Sequence, residues 1–263
     1  MAIQLSVVIV EFRCMEDVAG CVASLEENLR NFEWECLVVS NSEYSEGELK
    51  DAGRHIPAAK LVSTQGNRGY AGAVNIGLAR AAGRYVLILN PDARLVDAGV
   101  KDLIQAMEAD PGVGVMGPRV LDQEGRVQPS CRRWPRPWTY PLVRTPLRAL
   151  GWARREQWRY LMEDFSHEHV RDTDWVSGGA MLARGKAVED VGGMDTRFFL
   201  YMEDVDWCRR FWERGWRVQY RPEAQVQHAG QHQSIRFGWS SLRSVHTRNH
   251  MISVAKYFYK YMF

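Results

Sequence analysis

Apolar residues in this chain fall into short β-branched blocks that alternate with stretches of helical spacing. Leu5 to Phe12 is the first block, and Val18, Val22, Leu25 and Leu29 recur at intervals of three and four, so a strand leading into a helix is predicted. Cys36 to Val39 predicts a second strand, ending in the polar turn Ser40-Asn41-Ser42, and Lys60 to Ser63 a third. A glycine-rich turn and a small-residue helix over about 71–82 then lead to a strong strand at Tyr85 to Leu89. After Asn90-Pro91-Asp92 come a predicted helix over about 98–108 and a strand over 114–120. Strands alternating with helices imply an α/β, Rossmann-like, mostly parallel sheet with helices on both faces, and such sheets bind ligands at the carboxyl ends of their strands.

Beyond Gln128 the pattern breaks. Five prolines lie between Pro129 and Pro146, and a loop or mobile excursion is expected there. Order returns at Trp175 to Leu182, a helix is predicted from Glu203 to Arg214, and a last strand, Arg217 to Tyr220, precedes His228. The stretch from Trp239 to Phe263 is helix-like, basic and aromatic.

Composition excludes wholesale disorder, collagen and a polytopic membrane protein, since hydrophobic residues are 46% and charged residues 25% of 263. Lys plus Arg number 34 against 32 Asp plus Glu, a net charge of +2, but the layout is uneven. No acid follows Glu223, and nine arginines face one acid, Glu156, between Arg126 and Arg159. The five cysteines form no CxxC pair, which fits a reducing cytosol. Val7 to Val10 is too short to span a bilayer and lacks the basic lead-in of a signal peptide, so a cytoplasmic location is expected.

Both basic segments carry aromatics. The first includes Trp134, Trp138, Trp152 and Trp158. It is either a solvated loop packed on the body or an acceptor flap whose arginines meet a lipid diphosphate and whose tryptophans meet sugars or a bilayer interface. In the second, Leu242, Val245, Ile252, Ala255 and Tyr259 share one rough helical face, with Arg243, His246 and His250 on another. Docking on the body is the preferred reading; a peripheral membrane anchor at the inner face of the cytoplasmic membrane is the alternative. Nucleic-acid binding is set aside because the charge is too local. No feature sets an oligomeric state.

Four motifs could carry chemistry. Asn90-Pro91-Asp92 presents a carboxylate where the strongest strand ends, suited to bridging a hard cation to a diphosphate, or it is a simple turn. Gly66 to Asn75 lets backbone approach a ligand, with Asn67, Arg68 and Asn75 as donors, or is a tight loop into a packed helix. In Tyr201 to Arg210, the acids at a helix start are favoured by its dipole, yet one could equally be a general base. His228 has His232 four residues on, but Gly230 between them favours a loop over a zinc-binding helix.

In order and spacing, Ser6-Val7-Val8-Ile9-Val10, Val38-Val39-Ser40-Asn41-Ser42, Asn67 to Asn75, Leu89-Asn90-Pro91-Asp92, Ser177-Gly178-Gly179-Ala180, Val191 to Asp195, Tyr201 to Asp206 and His228-Ala229-Gly230 resemble family 2 glycosyltransferases, nearest the bacterial rhamnosyltransferase-like subgroup. The likeness spans residues 5–234. It implies a GT-A fold, a nucleotide-diphosphate sugar donor, a saccharide or lipid-linked acceptor, Mg²⁺ or Mn²⁺, and an inverting single displacement. It further implies a catalytic domain over 1–234, with a nucleotide-sugar half of about 1–125 and an acceptor half of about 126–234, followed by a helical segment over 235–263.

By position, the resemblance makes Asp92 the surviving carboxylate of the metal-binding DxD, with Asn90 in its first place, and His228 its helper toward metal or diphosphate. Asp204 matches the general base, with Glu203 beside it. Ser177, Gly178 and Gly179 match the floor of the site, and Val10, Glu11, Phe12, Ser40, Asn67, Gly69, Tyr70 and Asn75 the donor-binding positions. Two departures fall in the base pocket: Ser40 stands where the family carries an aspartate, and Glu11-Phe12-Arg13 replaces a strand ending in Tyr-Asn. A dTDP- or UDP-sugar, dTDP-rhamnose among them, is the expected donor, with a purine nucleotide left open. The rival reading is a nucleotide-sugar-binding subunit that keeps the fold without catalysis.

Overall fold

The computed structural model describes residues 3–143, 150–228 and 245–262. Its first half contains β1 (Leu5–Glu11), α1 (Met15–Asn28), β2 (Trp34–Ser40), α2 (Glu46–His55), β3 (Ala59–Ser63), α3 (Gly69–Leu78) and β4 (Tyr85–Leu89). There follow β5 (Ala93–Leu95), α4 (Val100–Ala109), β6 (Val113–Leu121), β7 (Val127–Gln128), β8 (Cys131–Arg132), α5 (Thr139–Val143) and α6 (Gly151–Leu161). The last group is β9 (Arg171–Asp172), β10 (Trp175–Val176), β11 (Ala180–Arg184), α7 (Gly185–Val191), α8 (Glu203–Glu213), β12 (Arg217–His228) and α9 (Val245–Met262).

One large sheet runs β3-β2-β1-β4-β11-β6-β12-β5. β1 to β4 pair in parallel, as do β6 and β12, whereas β11 lies antiparallel between β4 and β6 and β5 antiparallel on β12. The α/β expectation thus holds for a mixed sheet whose main ladders are parallel. Central strands buried on both faces need unbroken apolar runs, and β1 is buried throughout. Its alternation splits the core: Val8 and Val10 pack with α3 and α8 residues on one face, while Val7 and Ile9 pack with α1 and α4 residues on the other.

Three expectations need correction. The excursion after Gln128 is not a plain loop but carries α5 and α6. The buried stripe of α6 is Ala153, Glu156 and Tyr160, so a carboxylate interrupts the apolar repeat by which a helix is recognised. Glu156 is tolerated inside because Arg136, Arg159 and the Thr139 hydroxyl all donate to it. The last strand does not stop at Tyr220: β12 bulges between Arg221 and Gln225, where Pro222 breaks the ladder, then resumes to His228, which ends a strand instead of lying in a loop.

The third concerns α9, which docks by the face opposite to the expected one. His250, Ser253, Val254 and Tyr257 are buried, while Val245, Ile252, Ala255 and Tyr259 face solvent. Polar fastenings decide the orientation: Ser253 Oγ donates to the Leu200 carbonyl, Lys256 Nζ to the Arg197 carbonyl, and Lys260 Nζ to Asp195 and Asp206. Leu242 and Arg243 lie outside the described residues. No described helix is long and apolar enough to cross a membrane.

Candidate active site

Sheet pairing assembles the site. Leu89, at the end of β4, is paired with Ala180 of β11, which brings the 177–179 turn alongside Asn90. The Asn90 amide donates to the Gly179 carbonyl at 2.9 Å. Ala93 of β5 is paired with His228 of β12, which brings the 90–92 turn to the histidine. His228 Nε2 consequently lies 3.0 Å from Asp92 Oδ1 and 3.1 Å from Asn90 Nδ2.

A second carboxylate is tied to the same turn. Asp204, in the first turn of α8, accepts from the Gly178 amide at 3.1 Å through Oδ2 and from the Val205 amide at 2.8 Å through Oδ1. The Tyr70 hydroxyl donates to the Gly178 carbonyl at 2.9 Å and sits 3.3 Å from Asn90 Oδ1. Gly178 therefore meets the Asp204 carboxylate through its N–H and the Tyr70 hydroxyl through its carbonyl, while the Gly179 carbonyl holds Asn90. The helix start is reached through Tyr201 and Met202, both left-handed at φ 68° and 71°. Two successive non-glycine residues in that region cost about 1 kcal/mol or more each and are held by the packing around them.

Environment separates the two adjacent acids. Burial, and then the charge of Asp204, push Glu203 well above its ordinary 4.5, and Glu203 Oε2 has no hydrogen-bond partner. Burial also raises Asp204, but the Gly178 and Val205 amides and the Arg132 guanidinium favour its charged form. Glu203 is thus the more strongly shifted toward its neutral form, while Asp204 has amide and guanidinium groups that favour its charged one.

At the same carboxyl end of the sheet, beside β4, Glu11 and Ser40 end the neighbouring strands β1 and β2 in register. The buried Glu11 carboxylate accepts from Ser40 Oγ at 2.8 Å, the Cys14 amide at 2.9 Å, Ser42 Oγ at 3.1 Å and the Tyr44 hydroxyl at 3.2 Å. The serine on β2 thus faces a carboxylate supplied by β1, so both departures noted in the sequence belong to one hydrogen-bonded unit. Val10 is buried beneath it, and Phe12 is exposed with Arg13 over its ring.

The glycine-rich segment divides. Asn41 organises it, accepting from the Arg68 amide at 2.7 Å and donating to Asn67 Oδ1 at 3.0 Å and to the Gly69 carbonyl at 3.2 Å. Gly69 has φ 72°, and a Cβ there would sit 2.5 Å from the Phe199 carbonyl oxygen, so glycine is required. Asn75 is not part of the cluster: both ends of its amide are taken by the Met194 backbone, each at 2.7 Å, which fastens α3 to the loop before α8. Ser177 Oγ, 3.4 Å from the Gly179 amide, braces the turn. Arg132, one of nine arginines between Arg126 and Arg159, carries no distinguishing signal in the sequence; its guanidinium lies over the Trp175 and Tyr160 rings, and its charge favours ionised Asp204.

Among the described residues no three His, Cys, Asp or Glu side chains converge on one point. The Asp92–His228 pair nevertheless fits a shared cation. One imidazole nitrogen cannot donate to a carboxylate and accept from an amide N–H at once, whereas a lone-pair nitrogen beside a carboxylate is a metal-donor set. Mg²⁺-type ions commonly take one or two protein ligands and complete their shell with substrate phosphates.

The pair thus lies at the carboxyl end of an α/β sheet, next to a buried carboxylate at a helix start, and similarity to known proteins gives the family. Residues 6–161 match Glycosyl transferase family 2, and residues 85–243 match Glycosyl transferase family group 2. The N-acetylglucosaminyl-diphospho-decaprenol L-rhamnosyltransferase of Mycobacterium tuberculosis is 31% identical over 80% of this chain and 71% of its own length. A low-salt glycan biosynthesis hexosyltransferase of Haloferax volcanii is 26% identical over 78% of this chain and 61% of its own.

Solved structures agree on the fold. GalNAc-T7 with UDP, GalNAc and Mn²⁺ matches with a TM-score of 0.65 at 16% identity, covering 86% of this chain and 44% of that one. The mannosyltransferase PcManGT from Pyrobaculum calidifontis, in complex with GDP-Man and Mn²⁺, matches with a TM-score of 0.63 at 19% identity, covering 98% and 65%. This chain thus spans less than two thirds of either. The chain belongs to glycosyl transferase family 2, is rhamnosyltransferase-like within it, and has the GT-A fold.

Proposed function

We propose that this glycosyltransferase moves a sugar from a nucleoside-diphosphate donor to a hydroxyl of a lipid-linked saccharide, with inversion at the anomeric carbon. The observation that carries the reading is the 177–179 turn, whose Gly178 N–H holds the Asp204 carboxylate and whose Gly179 carbonyl holds Asn90, the start of the turn that carries Asp92 against His228. The name of the mycobacterial relative supplies the acceptor class and makes an activated rhamnose, such as dTDP-rhamnose, the first donor to try.

Asp204 would take the proton of the attacking hydroxyl as its oxygen bonds to the anomeric carbon. The bond from that carbon to the diphosphate oxygen breaks, and its electron pair leaves with the nucleoside diphosphate. Asp92 and His228 would hold a divalent cation, which when bound neutralises the charge developing on the diphosphate. Tyr70 and Asn90 fix the turn between the two reacting ends. The Glu11 carboxylate, with Ser40, Ser42 and Tyr44, would shape the nucleobase pocket. A single base suffices for one displacement, and no covalent sugar intermediate is required.

The test is transfer from the donor to a short-chain lipid diphosphate saccharide. The expected result is turnover abolished by EDTA, restored by Mg²⁺ or Mn²⁺, and a product with inverted anomeric configuration by NMR. Retained configuration would overturn the displacement, and EDTA-insensitive turnover the cation. Donor binding without turnover across an acceptor panel would assign the chain to the sugar-nucleotide-binding reading instead.

A further inference from the structure

The α5–α6 hairpin stands outside the chemistry described so far. Trp138, Trp152 and Trp158 are 50%, 55% and 50% exposed, and Leu150 is 44% exposed, within a span of 21 residues. Solvent-facing tryptophans at this density need a partner, since monomers seldom display clustered large apolar side chains. The charge around them has one sign. Arg154 and Arg155 are exposed on α6 beside Trp152 and Trp158. Arg136, Trp138, Trp152, Arg155 and Arg159 line an open cavity of about 440 Å³. Its one acid, Glu156, is 5% exposed and already paired with Arg136 and Arg159. The nearest acids in sequence, Glu163 and Asp164, come only after α6 has ended.

We propose that this hairpin seats on an anionic bilayer surface, with the tryptophans at headgroup depth and the arginines on lipid phosphates. Indole rings favour the interface between water and hydrocarbon, because one edge is apolar and the other carries a donor. Guanidinium groups bind phosphate oxygens bidentately. The hairpin also adjoins the catalytic region: Tyr140 of α5 bonds Tyr160 of α6 through their hydroxyls and packs its ring on His250 of α9, which in turn packs on Tyr201, two residues before Glu203. The outward face of α9, with Val245, Met251, Ile252 and Tyr259 exposed, adds apolar surface on a neighbouring helix. A helical hairpin resting on lipid is a contact in the interface plane, with no segment crossing it.

Vesicle co-sedimentation of the full chain, without donor or acceptor, tests this independently of the transfer reaction. The parent protein is expected to bind vesicles containing phosphatidylglycerol, to bind pure phosphatidylcholine vesicles at least tenfold more weakly, and to release in about 1 M salt, where charges are screened within ~3 Å. Trp138→Ser/Trp152→Ser and Arg154→Glu/Arg155→Glu should each lower partitioning about tenfold or more at unchanged melting temperature. Equal binding to both vesicle types, or variants that bind like the parent, would overturn the proposal. So would a dimer dissociated by the same substitutions, or salt-sensitive RNA binding in a protein that ignores vesicles.

Discussion

Asp204 and Glu203 are adjacent in sequence, yet the backbone gives them opposite surroundings. Two amide donors reach Asp204, while one Glu203 oxygen is buried without a partner. Because the folded state raises Glu203 above its ordinary 4.5, the acid favours folding fully below that value, and the contribution is lost as pH rises toward the raised one. Glu203→Gln, which cannot ionise, should melt with the parent near pH 4 and above it by a margin that widens toward pH 8; parallel melting curves would contradict this. Asp204 is also raised, so the acid limb of kcat/KM should lie above the usual aspartate value of 3.8. A limb at or below 3.8 would exclude it as base. Asp92 and Asp204 were legible in the sequence because a carboxylate after a strand or at a helix start has a predictable address. Asn75 and Arg132 were not, since an amide can face a ligand or a backbone with the same neighbours in sequence, and only the fold sets one of nine arginines beside Asp204.

Helices and strands were read well where they bury apolar residues and poorly where polar groups decide. β1, β2 and β4 appeared within two residues of their observed ends because their runs are almost wholly apolar. α2 buries no side chain and has no periodicity to find, although its capping box, Ser45 with Glu48, stands in the sequence. Ser45→Ala should destabilise that helix by ~1 kcal/mol in denaturant unfolding. α6 and α9 hide their inner faces behind Glu156 and His250. For α9, the lock is Asp206, fully buried and shared by Arg210, Lys260 and the Tyr261 hydroxyl at 2.7 Å. Asp206→Ala leaves Arg210 without its counterion and Lys260 with Asp195 alone, and should lower stability by about 3 kcal/mol, with amide exchange rising first along α9. A loss under ~1 kcal/mol would mean that α9 is held by its other contacts without Asp206.

Across the whole molecule, the near-balance of 34 basic and 32 acidic residues resolves into separate territories. Asp92 and Asp204 lie at the carboxyl edge of the sheet, while Arg154 and Arg155 of α6 face solvent. The mixed strand order makes the site possible: antiparallel β11, lying between β4 and β6, returns the 177–179 turn to the end of β4, where Asn90 and Asp204 both grip it. The central claim is that Asp204 is the base of the transfer and leaves donor binding to other groups. The most direct measurement compares Asp204→Asn with the parent by donor calorimetry and by single-turnover transfer. Donor affinity within about threefold of the parent, with the transfer rate reduced by roughly 10²-fold or more, is the predicted outcome; transfer within about fivefold of the parent rate would contradict it.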